Sequence, residues 1–244
     1  MSADVSEAPR VLPEHPVLGS NWFPSRWGAG DQRGNGNLLG PAQVLRAKEL
    51  IRTGEIIKLG YPYDSSMPMA PGRSFSIRMP GGPTGGPYGD RNGGIYNDDF
   101  VAAALGQMGT HMDALGHFGC QCGAIGDHRD CLFYNGNSLA DIWGPYGLRK
   151  LGIEHAPVFF TRAILIDIMG LKGRYLEFGE EIGVTDLKAA LAAQNMPAES
   201  LAPGDIALIR TGHAARFTED TTGYYDGAPG IGLEAAAWRA AYPG

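Results

Sequence analysis

Arg162-Ala163-Ile164-Leu165-Ile166-Asp167-Ile168 is a short apolar run interrupted only by Asp167, the pattern of a buried strand. Downstream, Thr185-Asp186-Leu187-Lys188-Ala189-Ala190-Leu191-Ala192-Ala193 reads as an amphipathic helix with Thr185 as its N-cap. Gly204-Asp205-Ile206-Ala207-Leu208-Ile209-Arg210-Thr211-Gly212 is a second buried strand ending at a glycine, and Gly232 to Ala241 reads as a last helix. With no internal repeat and no shift in composition, this alternation predicts one mixed α/β domain.

Toward the N-terminus the signals weaken. Glu55-Ile56-Ile57-Lys58-Leu59-Gly60-Tyr61 is strand-like, and before it Pro41 opens a helical pattern running to Ile51, with apolar residues at 44, 47, 50 and 51 and an end near Gly54. Residues 62–97 hold eight Gly and six Pro with almost no periodicity, which predicts a long lid or binding loop. Asp98 to Leu105 fits helix or strand. Residues 1–40 are rich in turn formers and carry Trp22, Phe23 and Trp27. They predict an arm lying across an apolar surface, of the kind that docks on a second subunit, ahead of a domain spanning 41–244.

The chain has 244 residues, 37 of them Gly and 17 Pro, well above the roughly 12% usual for that pair. Its formal charge is −6 and no Lys/Arg run occurs, which disfavours nucleic acid and anionic membrane surfaces as partners, since both need a clustered positive field. Small molecules are the expected ligands. No window approaches the roughly 18 apolar residues of a membrane span, and Met1 to Glu7 lacks the regions of a signal peptide. A cytoplasmic location is expected, with Cys120, Cys122 and Cys131 as reduced thiols.

The densest polar cluster is Gln107-Met108-Gly109-Thr110-His111-Met112-Asp113-Ala114-Leu115-Gly116-His117-Phe118. Imidazole and carboxylate together suit a borderline divalent ion such as Zn²⁺ or Mn²⁺. In an extended segment His111, Asp113, Leu115 and His117 would share one face, because side chains alternate with period two. Gly109 permits a left-handed turn or a close approach, and Thr110 can orient a neighbouring ligand. The plainer reading, histidines satisfied by ordinary hydrogen bonds, stays open beside it.

This segment resembles the signature of the cyclase family, metal-dependent hydrolases that include kynurenine formamidase and isatin hydrolase, written His-x-Gly-Thr-His-x-Asp-x-Pro-x-His. Gly109, Thr110, His111, Asp113 and His117 match it; Gln107 stands in place of the first His and Leu115 in place of the Pro. Similar to a longer-chain branch are also Trp27-Gly28 with Asp31-Gln32 and Asn37, Tyr134-Asn135-Gly136, Gly204-Asp205 through Arg210-Thr211-Gly212, and Ala228-Pro229-Gly230-Ile231. The resemblance implies a swivelling β/β/α fold and a homodimer or homotetramer in which N-terminal arms help cover neighbouring sites. It implies one or two divalent ions, Zn²⁺ or Mn²⁺, with His111 and Asp113 as ligands and Gln107 as a weak third through its amide oxygen or a water. His117 matches the family's proton donor and acceptor.

The implied reaction is hydrolysis of a small amide, formamide, lactam or ester by activated water. Family members usually continue beyond the Pro-Gly-Ile segment with a strand, a His-containing stretch and a late Glu, whereas this sequence stops at Gly244. A truncated, non-catalytic homologue that binds a small molecule is therefore one alternative, and a metal-dependent lyase or dehydratase another.

Other residues carry weaker signals. Trp27, Phe118 and Tyr134 are candidate substrate contacts, with Phe23, Phe75, Tyr88 and Tyr96 as further aromatics, since small-molecule sites are mostly apolar. Cys120, Cys122, His128 and Cys131 form a second constellation, but Cys-x-Cys is tighter than usual zinc spacing. Arg210 is a candidate for a substrate carboxylate or for an ion pair with Asp205 or Asp167, and His213 follows its strand. No Gly-x-Ser-x-Gly elbow and no Gly-x-Gly-x-x-Gly fingerprint in a strand-to-helix context is present, which excludes an elbow-type serine hydrolase and disfavours nucleotide binding.

Overall fold

In the computed structural model, residues 23–122 and 131–240 are described. Residues 25–40 run through turns and a 3-10 helix, Gly34–Leu38, into helix α1, Pro41–Lys48. Strands β1 (Phe75–Arg78) and β4 (Phe100–Ala103) pair antiparallel, and between them β2 (Gly85–Tyr88) and β3 (Gly94–Tyr96) form a hairpin around a short helix, α2 (Gly89–Asn92). Next come β5 (Cys120–Gln121), β6 (Cys131–Phe133) and β7 (Asn137–Ser138), an antiparallel sheet of three, capped by α3 (Leu139–Ile142).

The C-terminal half is more regular. It holds β8 (Ala163–Asp167), α4 (Ile168–Lys172), β9 (Glu181–Ile182), α5 (Val184–Ala193), β10 (Ile206–Arg210), α6 (Arg216–Glu219), β11 (Gly230–Ile231) and α7 (Leu233–Ala240). β8 and β10 pair in parallel, with Ile164 opposite Ala207 and Ile166 opposite Ile209. One face of this pair packs Ile164, Ile166 and Ile209 against Leu187, Ala190 and Leu191 of α5 and Ala235 of α7. The opposite face leaves Leu165 and Leu208 exposed.

The expected strands at 162–168 and 204–212 and the last helix are therefore present, and the protein is mixed α/β with small sheets. Helix α5 begins at Val184 and its cap lies two residues earlier than read, so Thr185 is inside the helix and is not the cap. Gly183 is the N-cap, and its N–H donates to Asp186 Oδ2 at 3.0 Å, the acidic third residue doing what a capping hydroxyl would do in reverse.

Three N-terminal expectations are corrected. Helix α1 stops at Lys48 rather than Ile51 and buries no residue. Residues 55–60 form no strand: high β propensity gives no strand without an edge to pair with, and Ile56 is 94% exposed, with Ile57 and Leu59 also exposed. Residues 62–97 are not one irregular loop, since β1, β2 and β3 fall within them. The undecided segment from Asp98 to Leu105 contains β4.

The two halves are fastened by Asp205, whose side chain is fully buried. Its carboxylate accepts from Arg46 Nη2 at 2.5 Å, from Arg162 Nε at 3.1 and 3.2 Å, from Arg162 Nη2, and from the Ala202 N–H at 2.8 Å. Burial pushes the Asp205 carboxyl up, but the bonds from Arg162 and Ala202 and the two guanidinium charges outweigh it, leaving the pKa below the ordinary value.

Candidate metal and proton-transfer site

Met108 anchors the cluster. Its side chain is fully buried with Met67 and Phe217, and Tyr61, Tyr63, Met69, Phe75 and Tyr224 pack around them. The residues on either side turn sharply: Gln107 has φ 55° and Gly109 φ 54°, the left-handed region that side chains other than glycine's enter at a cost. Gly109 is constrained twice, because a Cβ there would lie 2.8 Å from the Tyr63 ring. The Tyr63 hydroxyl sits 2.8 Å from the carbonyl oxygens of both Met108 and Thr110. Thr110 Oγ1 accepts from the Tyr61 N–H at 3.1 Å, while the Tyr61 ring stacks on Phe217 at 4.6 Å and its hydroxyl donates to the Ala214 carbonyl.

This strapping brings four side chains to one point. Gln107 Nε2 lies 3.3 Å from His111 Nε2, 3.3 Å from Asp113 Oδ2 and 3.2 Å from His117 Nε2. His111 Nε2 is 3.6 Å from Asp113 Oδ1, and His117 Nε2 is 3.8 Å from Asp113 Oδ2. His111 Nδ1 is 3.1 Å from the Gly109 carbonyl. A carbonyl only accepts, so the proton of neutral His111 sits on Nδ1 and Nε2 keeps its lone pair for the centre of the cluster. Nε2 also accepts from the Gln107 backbone N–H at 3.2 Å.

His111, Asp113 and His117 do come together, but not by the strand alternation expected for them. Residues 111–114 are in no strand, and a turn follows in which the His117 N–H donates to the Ala114 carbonyl at 3.0 Å. That turn folds His117 back onto Asp113, while Leu115 leaves the shared face and packs against Gly34. Behind Asp113 a cleft of about 140 Å³ is lined by Gln32, Met112, Leu115, Pro157 and Phe159.

The aromatic candidates separate. Phe118 is 85% exposed beside His117. Trp27 is half-buried, with the Arg26 guanidinium 4.7 Å from its ring. Tyr134 donates to Asp31 Oδ2 at 2.8 Å; burial and the Asp31 carboxylate push its hydroxyl up to about 12, Ser25 and Arg26 acting against them. Next to it, buried Asn135 reaches the Gly28, Ala29 and Asp31 carbonyls through Nδ2 and accepts from the Ser25 N–H. Tyr134 and Asn135 thus clamp residues 25–31, and the Tyr134 ring lies near Gly34 on the side of Leu115.

Phe75 packs into the cluster around Met108, and Tyr88 and Tyr96 stack on each other at 5.2 Å in the β2–β3 hairpin. Arg210 pairs with Asp167 at 2.9 Å. His213 stacks on Tyr224 at 4.6 Å and meets the edge of Phe178; burial and the nearby Arg216 charge lower its pKa against a backbone bond at Tyr224. Cys120, Cys122 and Cys131 are thiols, and His128 lies outside the described residues. Tyr61, Tyr63, Met112 and Phe159 shape the site without having been singled out by the sequence. The role of Tyr61 depends on contacts far along the chain.

A family model described as "Putative cyclase" matches residues 57–242. The chain belongs to the cyclase family. A solved structure described as the crystal structure of a novel cyclase is 32% identical, with a TM-score of 0.70 over 89% of this chain and 72% of that one. No curated protein matches the sequence. Cyclase-family membership agrees with the signature at Gly109, Thr110, His111, Asp113 and His117. Among the described residues, no group of three or more His, Cys, Asp or Glu side chains is arranged to hold a metal ion, and no helix is long and apolar enough to cross a membrane.

Proposed function

We propose that this cyclase-family chain is a metal-dependent hydrolase of a small amide, formamide, lactam or ester, with the swivelling β/β/α arrangement of its family. The observation that carries this is the meeting of Gln107, His111, Asp113 and His117 at one point. The donor chemistry fits a borderline divalent ion, Zn²⁺ or Mn²⁺: His111 offers a neutral Nε2 lone pair fixed by Gly109, and Asp113 offers an anionic oxygen. His111 and Asp113 would hold the ion, with the Gln107 amide as the remaining polar group. When bound, such an ion polarises a carbonyl and makes water acidic enough to attack near neutral pH.

The protein's own side chains supply the rest. His117 Nε2 faces the same point and occupies the position of the family's proton donor and acceptor, so it would hold and move the proton, passing it to the departing nitrogen or oxygen; imidazole does this well because it changes charge between about pH 5 and 8. Asp113 Oδ2, 3.8 Å away, places a carboxylate beside the imidazole that carries that proton. The cleft lined by Met112, Leu115 and Phe159 reaches Asp113 and offers apolar walls for a small substrate, with Phe118, Trp27 and Tyr134 as further contacts. Exposed Ile56, Ile57, Leu59 and Phe100 support a homodimer or homotetramer. The three thiols are in keeping with a cytoplasmic setting.

Elemental analysis of protein purified without chelators, combined with turnover of formamides, lactams and lactones, tests the proposal. His111→Ala and Asp113→Ala are expected to lose metal, and His117→Ala to lose turnover with metal retained. A metal content near zero that added Zn²⁺ or Mn²⁺ cannot raise would overturn it in favour of a non-catalytic binding protein.

A further inference from the structure

Gln107 occupies the middle of its own site. Its Nε2 stands 3.2 to 3.3 Å from three side-chain atoms, His111 Nε2, Asp113 Oδ2 and His117 Nε2. That is the relation of a hydrogen-bond donor to them, in the place a metal ion would take at about 2.0–2.2 Å from its ligands. The orientation of the amide follows from chemistry: Asp113 only accepts, and His111 Nε2 is a lone pair because Nδ1–H is engaged by the Gly109 carbonyl. An amide oxygen in that place would face both without a proton between them, so the nitrogen points inward. The backbone N–H of the same residue covers the His111 lone pair as well. The backbone conformation contributes, because φ 55° at Gln107 is what aims both groups at the cluster.

We infer that Gln107 is a built-in competitor for the cation rather than its third ligand: its amide donates to the ligand atoms, and an ion enters only when that side chain swings out. This rests on the metal reading of the site and adds a direction to it. A ligand strengthens ion binding by its presence, whereas a competitor weakens it. The two amide protons face two acceptors, His111 Nε2 and Asp113 Oδ2, so displacement breaks two bonds at most, one of them charge-assisted through Asp113. Removing the side chain is therefore expected to tighten cation binding by about tenfold.

The test is Co²⁺ binding, followed by the visible absorption of the ion and by calorimetry, on the full chain and on Gln107→Gly. Glycine takes φ 55° without strain, and Gln107→Asn, whose shorter amide falls short of the cluster and whose backbone tolerates the left-handed region, is the second variant. Tighter Co²⁺ binding in both variants than in the parent is expected. Weaker or unchanged binding in both, with the parent binding Co²⁺, overturns the competitor role and leaves the metal reading standing. No Co²⁺ binding by the parent or either variant overturns both.

Discussion

Gly109→Ala is the most revealing substitution at the strap of the site. A residue other than glycine at φ 54° costs about 1–2 kcal/mol. The new methyl would also lie 2.8 to 2.9 Å from Tyr63 ring atoms, and the ring has little room to retreat: its hydroxyl lies against two carbonyls, and Phe75 packs 5.8 Å from it. Overpacking of that kind costs about 1–3 kcal/mol. The two together give about 2–5 kcal/mol, a large share of the roughly 5–15 kcal/mol that holds a domain of ordinary stability together. Urea unfolding followed by tryptophan fluorescence measures it, provided the slope with denaturant is unchanged. Repeating the substitution in a Tyr63→Ala background should leave only the backbone part, about 1–2 kcal/mol. Equal losses in the two backgrounds would show that Tyr63 is not the obstacle, and a loss under about 0.5 kcal/mol in the parent would refute the whole derivation.

Two further predictions concern charge. Asp205→Asn should destabilise by about 2–4 kcal/mol, because two arginines lose a fully buried counter-ion while keeping partial access to water; a urea midpoint indistinguishable from the parent's would contradict this. Glu180 accepts from Arg174 at 2.8 and 3.0 Å, from the Glu177 N–H and from Lys172, and these bonds bring its carboxyl down from 4.5 to about 2. A depressed carboxyl contributes stability above its unfolded pKa and loses it as the pH falls through the folded one. The stability difference between parent and Glu180→Gln should accordingly be constant above pH 4.5 and shrink toward pH 2; a difference that stayed constant on acidification would exclude the ion pair as its source.

Ile164 and Ile166 show why the C-terminal half was legible: a short apolar run between turn formers needs only one partner strand and one helix, and Ile206–Arg210 and Val184–Ala193 lie within the same stretch of chain. Ile56 and Ile57 show the opposite. Their propensity is equally clear, but whether a strand forms depends on an edge that composition does not reveal. His111, Asp113 and His117 could be grouped from their spacing, yet the turn that groups them rests on a hydrogen bond between the His117 N–H and the Ala114 carbonyl, which any residues there could make. Tyr61 and Tyr63 were hidden for a related reason, since their acceptors are backbone carbonyls and a threonine hydroxyl nearly fifty residues away.

The Tyr61 strap also has a meaning in time. Its hydroxyl ties to Ala214, 153 residues later, and its ring to Phe217, so a nascent chain carries the whole 107–117 signature long before this part of its support has been translated. At roughly 5–20 residues per second, about 100 residues separate the last histidine of the cluster from Phe217, a delay on the order of 5–20 s. During that interval the cluster can be held only by partners already made, the Tyr61 N–H, the Tyr63 hydroxyl and the side chains around Met108, and a nascent chain halted before Phe217 would display the motif without the ring on which Tyr61 stacks.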